Sequence, residues 1–572
     1  MENVTKEKYL SWLNSLKDVN ETDYKKLKEI KDEELLNDMF FKDLEFGTGG
    51  LRGVMGLGSN RMNEYTVKKA SLGIANYIVK NYKDPTVAIG YDSRNNSTLF
   101  SEFAASVYAS KGIKVFIYKQ LEPTPLLSYA VRKLHTSAGV IVTASHNPSK
   151  YNGYKVYNNE GCQINLEVAD KMIKEIEKVD IFKEIKSFKS FKELKEKGMI
   201  EYIPNSVIED FIEDTLKISI TKDFSKKDIK IVYTPLNGTG LIPVTETLKR
   251  AGFTNIIVPI EQKNPDGNFP TCPYPNPEIL EAMQVGISYC KKENADILIA
   301  TDPDCDRCGI GVRYNDEFRL LSGNETGTLL LDFILNHSSL PKDPLVVRSI
   351  VSTSSVDKLC ALHNVTMKYV LTGFKFIGEV ICNLEKTHEE NRYIFGFEES
   401  YGYLTNPKVR DKDAVNASLI IAEMFAYYKA RNINLIDKLH EIYDEIGYYK
   451  NTLLTYEFDG ESGLKTMTKI MNDLRNASFN ELSNKFNNEI VVKNDYKLSK
   501  SVDINNKETT LNIEKSNVLS FKFKDETLLT VRPSGTEPKI KFYIETVGKS
   551  LKDSEDRNAS FKENVIKFVK SY

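Results

Sequence analysis

Residues 86–145, which carry the clearest fold signal in the chain, read TVAIGYDSRNNSTLFSEFAASVYASKGIKVFIYKQLEPTPLLSYAVRKLHTSAGVIVTAS. The runs TVAIGYD, IKVFIYK and SAGVIVTAS are rich in β-branched residues, as strands are. Amphipathic helical segments at Ser101–Lys111 and Leu126–Leu134 separate these runs. Strands that alternate with helices in this way predict βαβ units and a parallel sheet.

The same alternation restarts twice further along the chain. It resumes from IKIVYTPLNGTG (229–240) to ADILIATDPDCD (295–306), and again from LLLDFIL (329–335) to RYIFGFEES (392–400). Beyond about Tyr449, extended runs around a turn and a terminal helix predict an α+β region. Residues 1–40 have apolar residues at helical spacing and are interpreted as a helical packing extension. The Asn- and Lys-rich stretch 485–507 is interpreted as a solvated loop or a local insertion.

The length of the chain requires several hydrophobic cores. Its 572 residues exceed the roughly 250–300 at which a single core stops growing. Boundaries near Asn205, Leu321 and Tyr449 predict an N-terminal extension with α/β domain I at 1–205, and α/β domain II at 206–321. They further predict α/β domain III at 322–449 and an α+β domain IV at 450–572.

Charge and hydropathy exclude several classes of partner. Lys and Arg total 78 against 80 Asp and Glu, so no overall field favours nucleic acid or an anionic membrane. The first residues lack a signal-peptide core, and no later stretch approaches the roughly 20 apolar residues of a membrane span. We therefore expect a cytoplasmic protein with neither nucleic-acid nor membrane partners. Any affinity for phosphate must be local.

The seven cysteines are odd in number and scattered, which is typical of reduced thiols rather than of a disulfide framework. Cys305 and Cys308 form a CxxC pair, but a structural zinc site needs four ligands and a second such pair is absent from the sequence. Two loop thiols are therefore the favoured interpretation.

An acidic motif, Thr301-Asp302-Pro303-Asp304-Cys305-Asp306, follows the apolar run ILIA. Pro303 favours an extended backbone at Asp302, which lets the three carboxylates converge. Clustered carboxylates repel one another unless a hard divalent cation binds them, and Mg²⁺ is the common choice in phosphoryl chemistry. An EF-hand is disfavoured because Arg307 stands where that loop needs Gly. A solvated acidic turn is the alternative when the motif is taken alone.

A candidate nucleophile, Ser145, lies in Thr143-Ala144-Ser145-His146-Asn147-Pro148 directly after the run AGVIV. Ligands of open α/β sheets bind at this carboxyl end of the strands. A hydrolase elbow would need glycine at positions 143 and 147, so a Ser-His-acid hydrolase is disfavoured. Taken alone, the motif is also compatible with an ordinary turn.

Several further loops carry groups suited to a phosphorylated sugar. Residues 531–538, VRPSGTEP, combine a guanidinium, two hydroxyls and a glycine, as an anion-binding loop needs. Residues 396–402, GFEESYG, offer carboxylates and a hydroxyl suited to sugar hydroxyls. GTGGLRG (47–53) lacks the spacing of a nucleotide-binding loop but places Arg52 among glycines, while TGFK (372–375) and RDKD (410–413) supply cations. Each of these is also compatible with a surface turn.

Together, FGTGGLRG, TASHNP, DPDCDR, GFEES and RPSGTEP resemble, in order and spacing, the motifs of the α-D-phosphohexomutase family. TASHNPSKYNGYKVYNNEGCQI most resembles the longer phosphoglucomutase branch, which also contains phosphopentomutases. The resemblance covers nearly the whole chain. It implies an α/β phosphohexomutase architecture of four domains around a central cleft, with three related α/β domains and a C-terminal α+β domain.

The resemblance also implies catalytic and metal-binding residues. Ser145 would carry the phosphoryl group, and Asp302, Asp304 and Asp306 would bind Mg²⁺ together with that phosphate. Either Lys155 or His146 would accept a proton. The residues implied for the catalytic neighbourhood are Arg52, His146, Lys155 and Arg307.

Two further groups are implied to bind the substrate. The sugar side would be lined by Thr372, Gly373, Lys375, Glu398, Ser400 and Lys412. The nonreacting phosphate would be held by Arg532, Ser534, Gly535 and Thr536.

The implied reaction interconverts α-D-glucose 1-phosphate and glucose 6-phosphate. Phosphoserine 145 would phosphorylate the sugar, and glucose 1,6-bisphosphate, the intermediate and activator, would return its other phosphoryl group to the serine. Phosphomannomutase, phosphopentomutase and glucose-1,6-bisphosphate synthase remain alternatives, because the sequence does not resolve which hydroxyl stereochemistry GFEES accepts. From a different class, an inactive sugar-phosphate-binding protein is a further alternative. The sequence leaves the oligomeric state open.

Overall fold

The protein is described here by a computed structural model covering residues 3–47, 49–221, 225–458, 460–534 and 539–572. The chain forms two compact units. The first comprises Met1–Leu321, Gly378–Asn391 and Tyr401–Tyr427, and the second comprises Ser322–Ile377, Arg392–Ser400 and Tyr428–Tyr572. None of the helices in the described ranges combines the length and apolar character needed to cross a bilayer.

The first unit begins with a helical extension and a six-stranded mixed sheet. The sheet has the order β1-β5-β4-β2-β3-β6, in which β4, β2, β3 and β6 run parallel and β5 is antiparallel to both neighbours. Every residue of β4 is buried, as the apolar run AGVIV predicts. The helices are α1 (Asn3–Val19), α2 (Glu21–Glu29), α3 (Glu33–Phe40), α4 (Glu64–Asn81), α5 (Ser97–Ser110), α6 (Thr124–Lys133), α7 (Leu166–Glu177), α8 (Ile181–Glu184) and α9 (Phe191–Glu196), with a 3₁₀ turn at Ile185–Ser187. The strands are β1 (Gly50–Val54), β2 (Thr86–Tyr91), β3 (Lys114–Ile117), β4 (Ala138–Val142), β5 (Tyr151–Asn158) and β6 (Ile200–Tyr202).

A second sheet of the first unit has the order β11-β10-β9-β7-β8. Strands β8, β7 and β9 are parallel, and β10 turns back antiparallel to β9, so the acidic motif lies in the connection between β9 and β10. The elements are α10 (Asn205–Leu216), β7 (Ile231–Thr234), α11 (Leu241–Arg250), β8 (Ile256–Ile257), α12 (Ile260–Lys263), α13 (Leu280–Glu293), β9 (Ile297–Thr301), β10 (Cys308–Tyr314) and β11 (Glu317–Leu321).

The next part of the chain contains the third α/β repeat. Strand β12 lies between β13 and β14 and is parallel to both. The elements are α14 (Gly323–His337), β12 (Leu345–Ser349), α15 (Ser355–Leu362), β13 (Thr366–Val370), α16 (Phe374–Lys386), a 3₁₀ turn at Glu390–Arg392, β14 (Tyr393–Glu398), β15 (Gly402–Leu404), α17 (Ala414–Lys429) and α18 (Leu435–Ile446).

The C-terminal part of the second unit is an antiparallel sheet in the order β16-β22-β21-β20-β17-β18-β19 with helices packed on it. The interpretation of 485–507 as a solvated loop is wrong, because β17 and β18 lie there and pair with each other. Their side chains are largely half-buried, so backbone pairing rather than an apolar pattern defines them. The elements are β16 (Tyr448–Glu457), α19 (Gly460–Asn476), α20 (Phe479–Phe486), β17 (Ile490–Asp495), β18 (Lys500–Asp503), β19 (Glu508–Thr510), β20 (Leu519–Phe523), β21 (Leu528–Pro533), β22 (Lys539–Gly548) and α21 (Leu551–Lys570).

Candidate active site

The three carboxylates of the acidic motif converge after β9. Asp302, Asp304 and Asp306 are all buried, and each offers a ligand atom within 4.8 Å of the others. Hydrogen bonds within the motif stabilise this turn, because Asp302 Oδ1 accepts the backbone N–H groups of Asp306 (3.1 Å) and Arg307 (3.0 Å). The geometry predicted from the motif is therefore present.

The carboxylate cluster fits a hard divalent cation. The Oδ1 atoms of Asp304 and Asp306 are buried and accept no hydrogen bond from the described residues. Burial, together with the charges of Asp304 and Asp306, raises the pKa of Asp302 well above its ordinary value. A divalent cation would offset this repulsion and use the two unpartnered oxygens.

Ser145 lies against this cluster. Its Oγ donates a hydrogen bond to Asp302 Oδ2 at 2.7 Å and lies 3.2 Å from His146 Nδ1. The residue has a left-handed backbone, with φ of 51°. This conformation is supported by Thr143 Oγ1, which accepts the Ser145 N–H at 2.8 Å and itself donates to Asp92 at 2.6 Å. The loop between β4 and β5 (143–150), called the serine loop below, therefore presents the Ser145 hydroxyl to the three carboxylates.

Two partly buried lysines balance the charge of the cluster. Lys155 Nζ lies 2.9 Å from Asp304 Oδ2 and 3.5 Å from Asp306 Oδ2. Lys412 Nζ lies 3.1 Å from Asp306 Oδ2 and 3.4 Å from Asp411 Oδ1. Burial opposes the charge of Lys155, but Asp304 and Asp306 outweigh it, so its pKa lies above the ordinary value. Lys412, expected on the sugar side, is thus placed beside the carboxylates.

Three other predicted catalytic residues lie in the same unit. Burial and the charges of Arg307 and Arg52 lower the pKa of His146 well below its ordinary value, which favours the neutral imidazole. Arg307 is next to the cluster in sequence and lies 3.7 Å from Glu278. Arg52 is on β1, paired in register with Gly153 of β5. All three contribute to one electrostatic environment around the serine loop.

Two residues that the sequence interpretation missed position this site. Thr124, the first residue of α6, donates from Oγ1 to Asp304 Oδ2 at 2.8 Å. Arg94 is buried, pairs with Asp92 at 3.4 Å, and holds the serine loop through its guanidinium. The sequence feature that could have indicated Arg94 is the motif YDSR (91–94), whose polar residues directly follow strand β2. The four carbonyl oxygens that accept from Arg94 are those of Ser145, Asn147, Pro148 (3.0 Å) and Tyr151 (3.1 Å).

The second unit contains the predicted sugar loops. Gly373 donates its N–H to Glu398 Oε1 at 2.6 Å and has φ of 125°, a conformation that favours glycine. The loop carrying Thr372 and Gly373 is therefore tied to the end of β14, and Lys375 follows it in the first turn of α16. Ser400 follows this strand by two residues.

The predicted phosphate loop follows β21 in the same unit. Arg532 hydrogen-bonds the phenol of Tyr543, whose pKa is raised by burial and then by the charge of Glu399. Ser534 donates its N–H to the carbonyl oxygen of Lys539 at 2.7 Å. Gly535 and Thr536, also predicted to bind phosphate, lie outside the described residues.

Four family models match the chain in order. They are described as Phosphoglucomutase/phosphomannomutase, alpha/beta/alpha domain I (43–182), alpha/beta/alpha domain II (209–315), alpha/beta/alpha domain III (322–446) and C-terminal domain (488–560). The chain belongs to the phosphoglucomutase/phosphomannomutase family. The resemblance and the predicted four-domain α/β architecture are thereby confirmed.

Curated relatives from this family cover most of the chain. A phosphoglucomutase of Staphylococcus saprophyticus subsp. saprophyticus is 35% identical over 557 residues, which cover 96% of this chain and 99% of the relative. A phosphoglucomutase of Staphylococcus aureus strain MRSA252 is 37% identical over 508 residues, covering 88% of this chain and 90% of the relative. The chain is accordingly an enzyme of the phosphohexomutase type, an isomerase.

Solved structures show the same fold at low identity. A phosphoglucomutase/phosphomannomutase family protein from Burkholderia thailandensis has a TM-score of 0.65 at 18% identity, covering 92% of this chain and 97% of that chain. The phosphoglucomutase pp63/parafusin from Paramecium, in its open form, also has a TM-score of 0.65 at 18% identity, covering 92% and 94%. Both support the family architecture.

Proposed function

We propose that this phosphohexomutase interconverts α-D-glucose 1-phosphate and glucose 6-phosphate through a phosphorylated Ser145. The observation that carries the proposal is the 2.7 Å contact between Ser145 Oγ and Asp302, within a buried cluster of three carboxylates. The preference for glucose is supported by the relatives named phosphoglucomutase, which are 35% and 37% identical to the chain.

Asp302, Asp304 and Asp306 would hold Mg²⁺, together with the phosphate on Ser145. The unpartnered oxygens of Asp304 and Asp306 support this assignment. The ion would neutralise charge that develops on the transferred phosphoryl oxygens. Lys155, Lys412 and Arg307 would supply further positive charge there.

The chemical cycle needs two phosphoryl transfers. In the first, the bond between phosphorus and Ser145 Oγ breaks, and a new bond forms to the free hydroxyl of the sugar phosphate, giving glucose 1,6-bisphosphate. Of the two acceptors that the resemblance implies, His146 would take the proton of that hydroxyl, because its lowered pKa favours the neutral imidazole. The raised pKa of Lys155 keeps that side chain protonated, so it would act as a positive charge. In the second transfer, the bond between the other phosphorus of the reoriented bisphosphate and its sugar oxygen would break, and a new bond would form to Ser145 Oγ. The proton taken up in the first transfer would return to that sugar oxygen. Glucose 1,6-bisphosphate would therefore also activate enzyme that has lost its phosphate.

The predicted sugar and phosphate loops would bind the nonreacting parts of the substrate. Sugar hydroxyls would be held by Thr372, Gly373, Lys375, Glu398 and Ser400, and the remote phosphate by Arg532, Ser534, Gly535 and Thr536, with Lys412 also assigned to substrate binding. The hydrogen bond between Gly373 and Glu398 supports a joint action of the two sugar loops. Binding energy from the remote phosphate would orient the reacting hydroxyl.

The proposal also covers where the domains of the chain meet and in which compartment the enzyme acts. We propose domain boundaries near Asn205, Leu321 and Tyr449, as the strand and helix pattern predicts. We also propose that the enzyme acts in the cytoplasm. The seven cysteines are all free thiols, which is typical of a reducing compartment.

The substrate assignment is tested by initial rates on equal concentrations of glucose 1-phosphate, mannose 1-phosphate and ribose 1-phosphate. Each assay contains Mg²⁺ and a trace of hexose bisphosphate, and the products are identified. We expect glucose 6-phosphate to form fastest. A dominant mannose or ribose product would reassign the sugar and leave the serine mechanism in place. Absence of isomerisation with all three substrates would overturn the proposal.

A further inference from the structure

Two buried thiols lie in contact in the first unit, although they are far apart in sequence. Cys162 and Cys382 are separated by 220 residues, and their Sγ atoms are 3.1 Å apart. Their exposed fractions are 4% and 2%. Neither belongs to the proposed catalytic machinery, so their contact calls for a separate explanation.

Local structure brings these two sulfurs together. Cys162 lies in a turn after β5, where the side chain of Asn158 accepts the Cys162 N–H at 3.0 Å. Cys382 is on α16, one turn after Gly378. A Cβ at Gly378 would lie 2.4 Å from the carbonyl oxygen of Arg410 and 3.1 Å from Cys162 Sγ. Glycine at 378 therefore permits the close approach of α16 to the turn.

A buried arginine holds the helix side of the pair. Arg410 is fully buried, and its Nε donates to Cys382 Sγ at 3.3 Å while its Nη2 donates to Glu385 Oε2 at 2.8 Å. The hydrogen bond from Cys162, followed by the charge of Arg410, lowers the pKa of Cys382. Burial raises the pKa of Cys162. Because Arg410 Nε donates to its sulfur, Cys382 is the thiol better placed to act as a thiolate nucleophile.

We propose that Cys162 and Cys382 form a reversible intrachain disulfide when the enzyme meets a peroxide. The Cys382 sulfur attacks one peroxide oxygen, the O–O bond breaks, and a sulfenic acid and water form. The Cys162 sulfur then attacks the sulfenic sulfur, the S–O bond breaks, and the proton of Cys162 leaves with the second water. Two thiols and one hydrogen peroxide give one disulfide and two waters.

The disulfide would act on the proposed active site through α16 and Arg410. The sulfurs must approach from 3.1 Å to about 2.05 Å. This shift pulls α16, which begins directly after the predicted sugar loop at 372–373, and alters the acceptor of Arg410. Lys412, two residues beyond Arg410, contacts Asp306. Oxidation therefore lowers mutase turnover, a consequence that rests on the proposed function.

The disulfide itself is tested without an activity assay. The full-length enzyme is treated with hydrogen peroxide, its remaining thiols are alkylated in denaturant, and its peptides are analysed by mass spectrometry. We expect a linked peptide that contains Cys162 and Cys382 and is absent after dithiothreitol. Its mass should be lower by two hydrogen atoms than the summed masses of the two reduced peptides. Recovery of both cysteines as alkylated thiols, at a peroxide dose that oxidises other cysteines, would overturn the proposal.

Variants separate this pair from the other thiols. Cys162→Ala and Cys382→Ala should each abolish the linked peptide and keep turnover resistant to peroxide. The matched control, Cys290→Ala, removes a different buried thiol, on α13, and should leave both the linked peptide and the peroxide-dependent loss of turnover. Thermal melting of each variant verifies folding. A linked peptide with unchanged turnover would overturn the coupling to catalysis while the modification site stands.

Discussion

Among single residues, Ser145 is the proposed nucleophile. Its hydroxyl contacts Asp302, whereas its backbone is held independently by Thr143 and Arg94. Removal of the hydroxyl should therefore spare the loop. We expect Ser145→Ala to lower kcat by at least about 10³-fold, because a nucleophile has no substitute in this chemistry.

A coupled assay for glucose 6-phosphate measures this loss, and mass spectrometry of the serine-loop peptide measures loss of its phosphate. Ser149→Ala, a change in the same loop, is the matched control and should retain turnover. Circular dichroism should show equal melting for both variants. Substantial turnover by a clean preparation of Ser145→Ala would exclude a phosphoserine at 145 as the intermediate.

The carboxylate cluster gives a second prediction for one residue. Asp304→Asn keeps the size of the side chain but removes one charge from the proposed Mg²⁺ site. We expect kcat to fall by about 10²-fold or more, since metal and fixed charges supply much of the stabilisation of a phosphoryl transition state. The Mg²⁺ concentration for half-maximal rate should rise.

Titration of Mg²⁺ in the assay and calorimetric titration of the apo-protein measure these two effects. Asp316→Asn, in the turn between β10 and β11, is the control and should change neither. An Asp304→Asn enzyme with the rate and magnesium dependence of the parent would exclude the three-carboxylate site.

Asp413 predicts a pH dependence of stability. Its Oδ1 accepts the N–H groups of Val415 and Asn416 at 2.9 Å, and its buried Oδ2 has no partner among the described residues. Burial raises the pKa of Asp413 to about 7, from 3.8 for an ordinary side chain. At pH values between these two pKa values, Asp413 is protonated in the folded protein and ionised in the unfolded one. The contribution of Asp413 to the free energy of unfolding therefore falls as pH rises through this range.

Asp413→Asn keeps the capping oxygen and removes the ionisation. The Tm of the variant relative to the parent should therefore rise as pH increases from about 4 to about 7, and level off above that. Thermal melts across this range measure the difference. A difference in Tm that stays constant with pH would show that Asp413 does not titrate as described.

At the scale of elements, the connection between β4 and β5 depends on Arg94. One guanidinium satisfies four carbonyl oxygens of this loop, which the single ammonium of a lysine does not reproduce. Arg94→Lys should therefore lower kcat by about tenfold or more while changing KM little, because a misplaced nucleophile impairs the chemical step.

Steady-state kinetics separates kcat from KM for this variant. Arg61→Lys is the matched control, since Arg61 is also buried but hydrogen-bonds to Asp38 and Asn60 outside the serine loop. Its kcat should stay near that of the parent. If Arg94→Lys changed only Tm, Arg94 would be structural and not a positioning residue.

Local patterns predicted some elements well and others poorly. Strands β2, β3 and β4 were predictable because their apolar runs are buried, as were the helices between them. The convergence of the three aspartates was predictable because they lie in one short motif after a strand, whereas the roles assigned to them and to Ser145 stay predictions. Arg94 and Thr124 were missed because their partners lie 51 and 180 residues away along the chain. Strands β17 and β18 were missed because pairing, not an apolar pattern, defines them.

At the scale of the whole molecule, chemistry-bearing loops follow strands in every α/β repeat and in the C-terminal sheet. The serine loop follows β4 and the acidic loop follows β9, while the predicted sugar loop lies at the end of β14 and the predicted phosphate loop at the end of β21. Lys and Arg nearly equal Asp and Glu, 78 against 80, so the whole chain has no net field that would attract a phosphate, and we expect any such attraction to be local. Family membership, shown by four domain matches in order, agrees with this distribution.

Transfer of the phosphoryl group from Ser145 to the substrate can be followed in a single-turnover experiment. Enzyme is loaded with radiolabelled phosphate from glucose 1,6-bisphosphate, freed of excess ligand, and mixed with unlabelled glucose 1-phosphate and Mg²⁺. We expect the label to leave the Ser145 peptide and to appear in glucose 1,6-bisphosphate or glucose 6-phosphate during the first turnover. Label that stays on the enzyme while unlabelled glucose 6-phosphate accumulates would contradict phosphoryl transfer from Ser145 to the substrate.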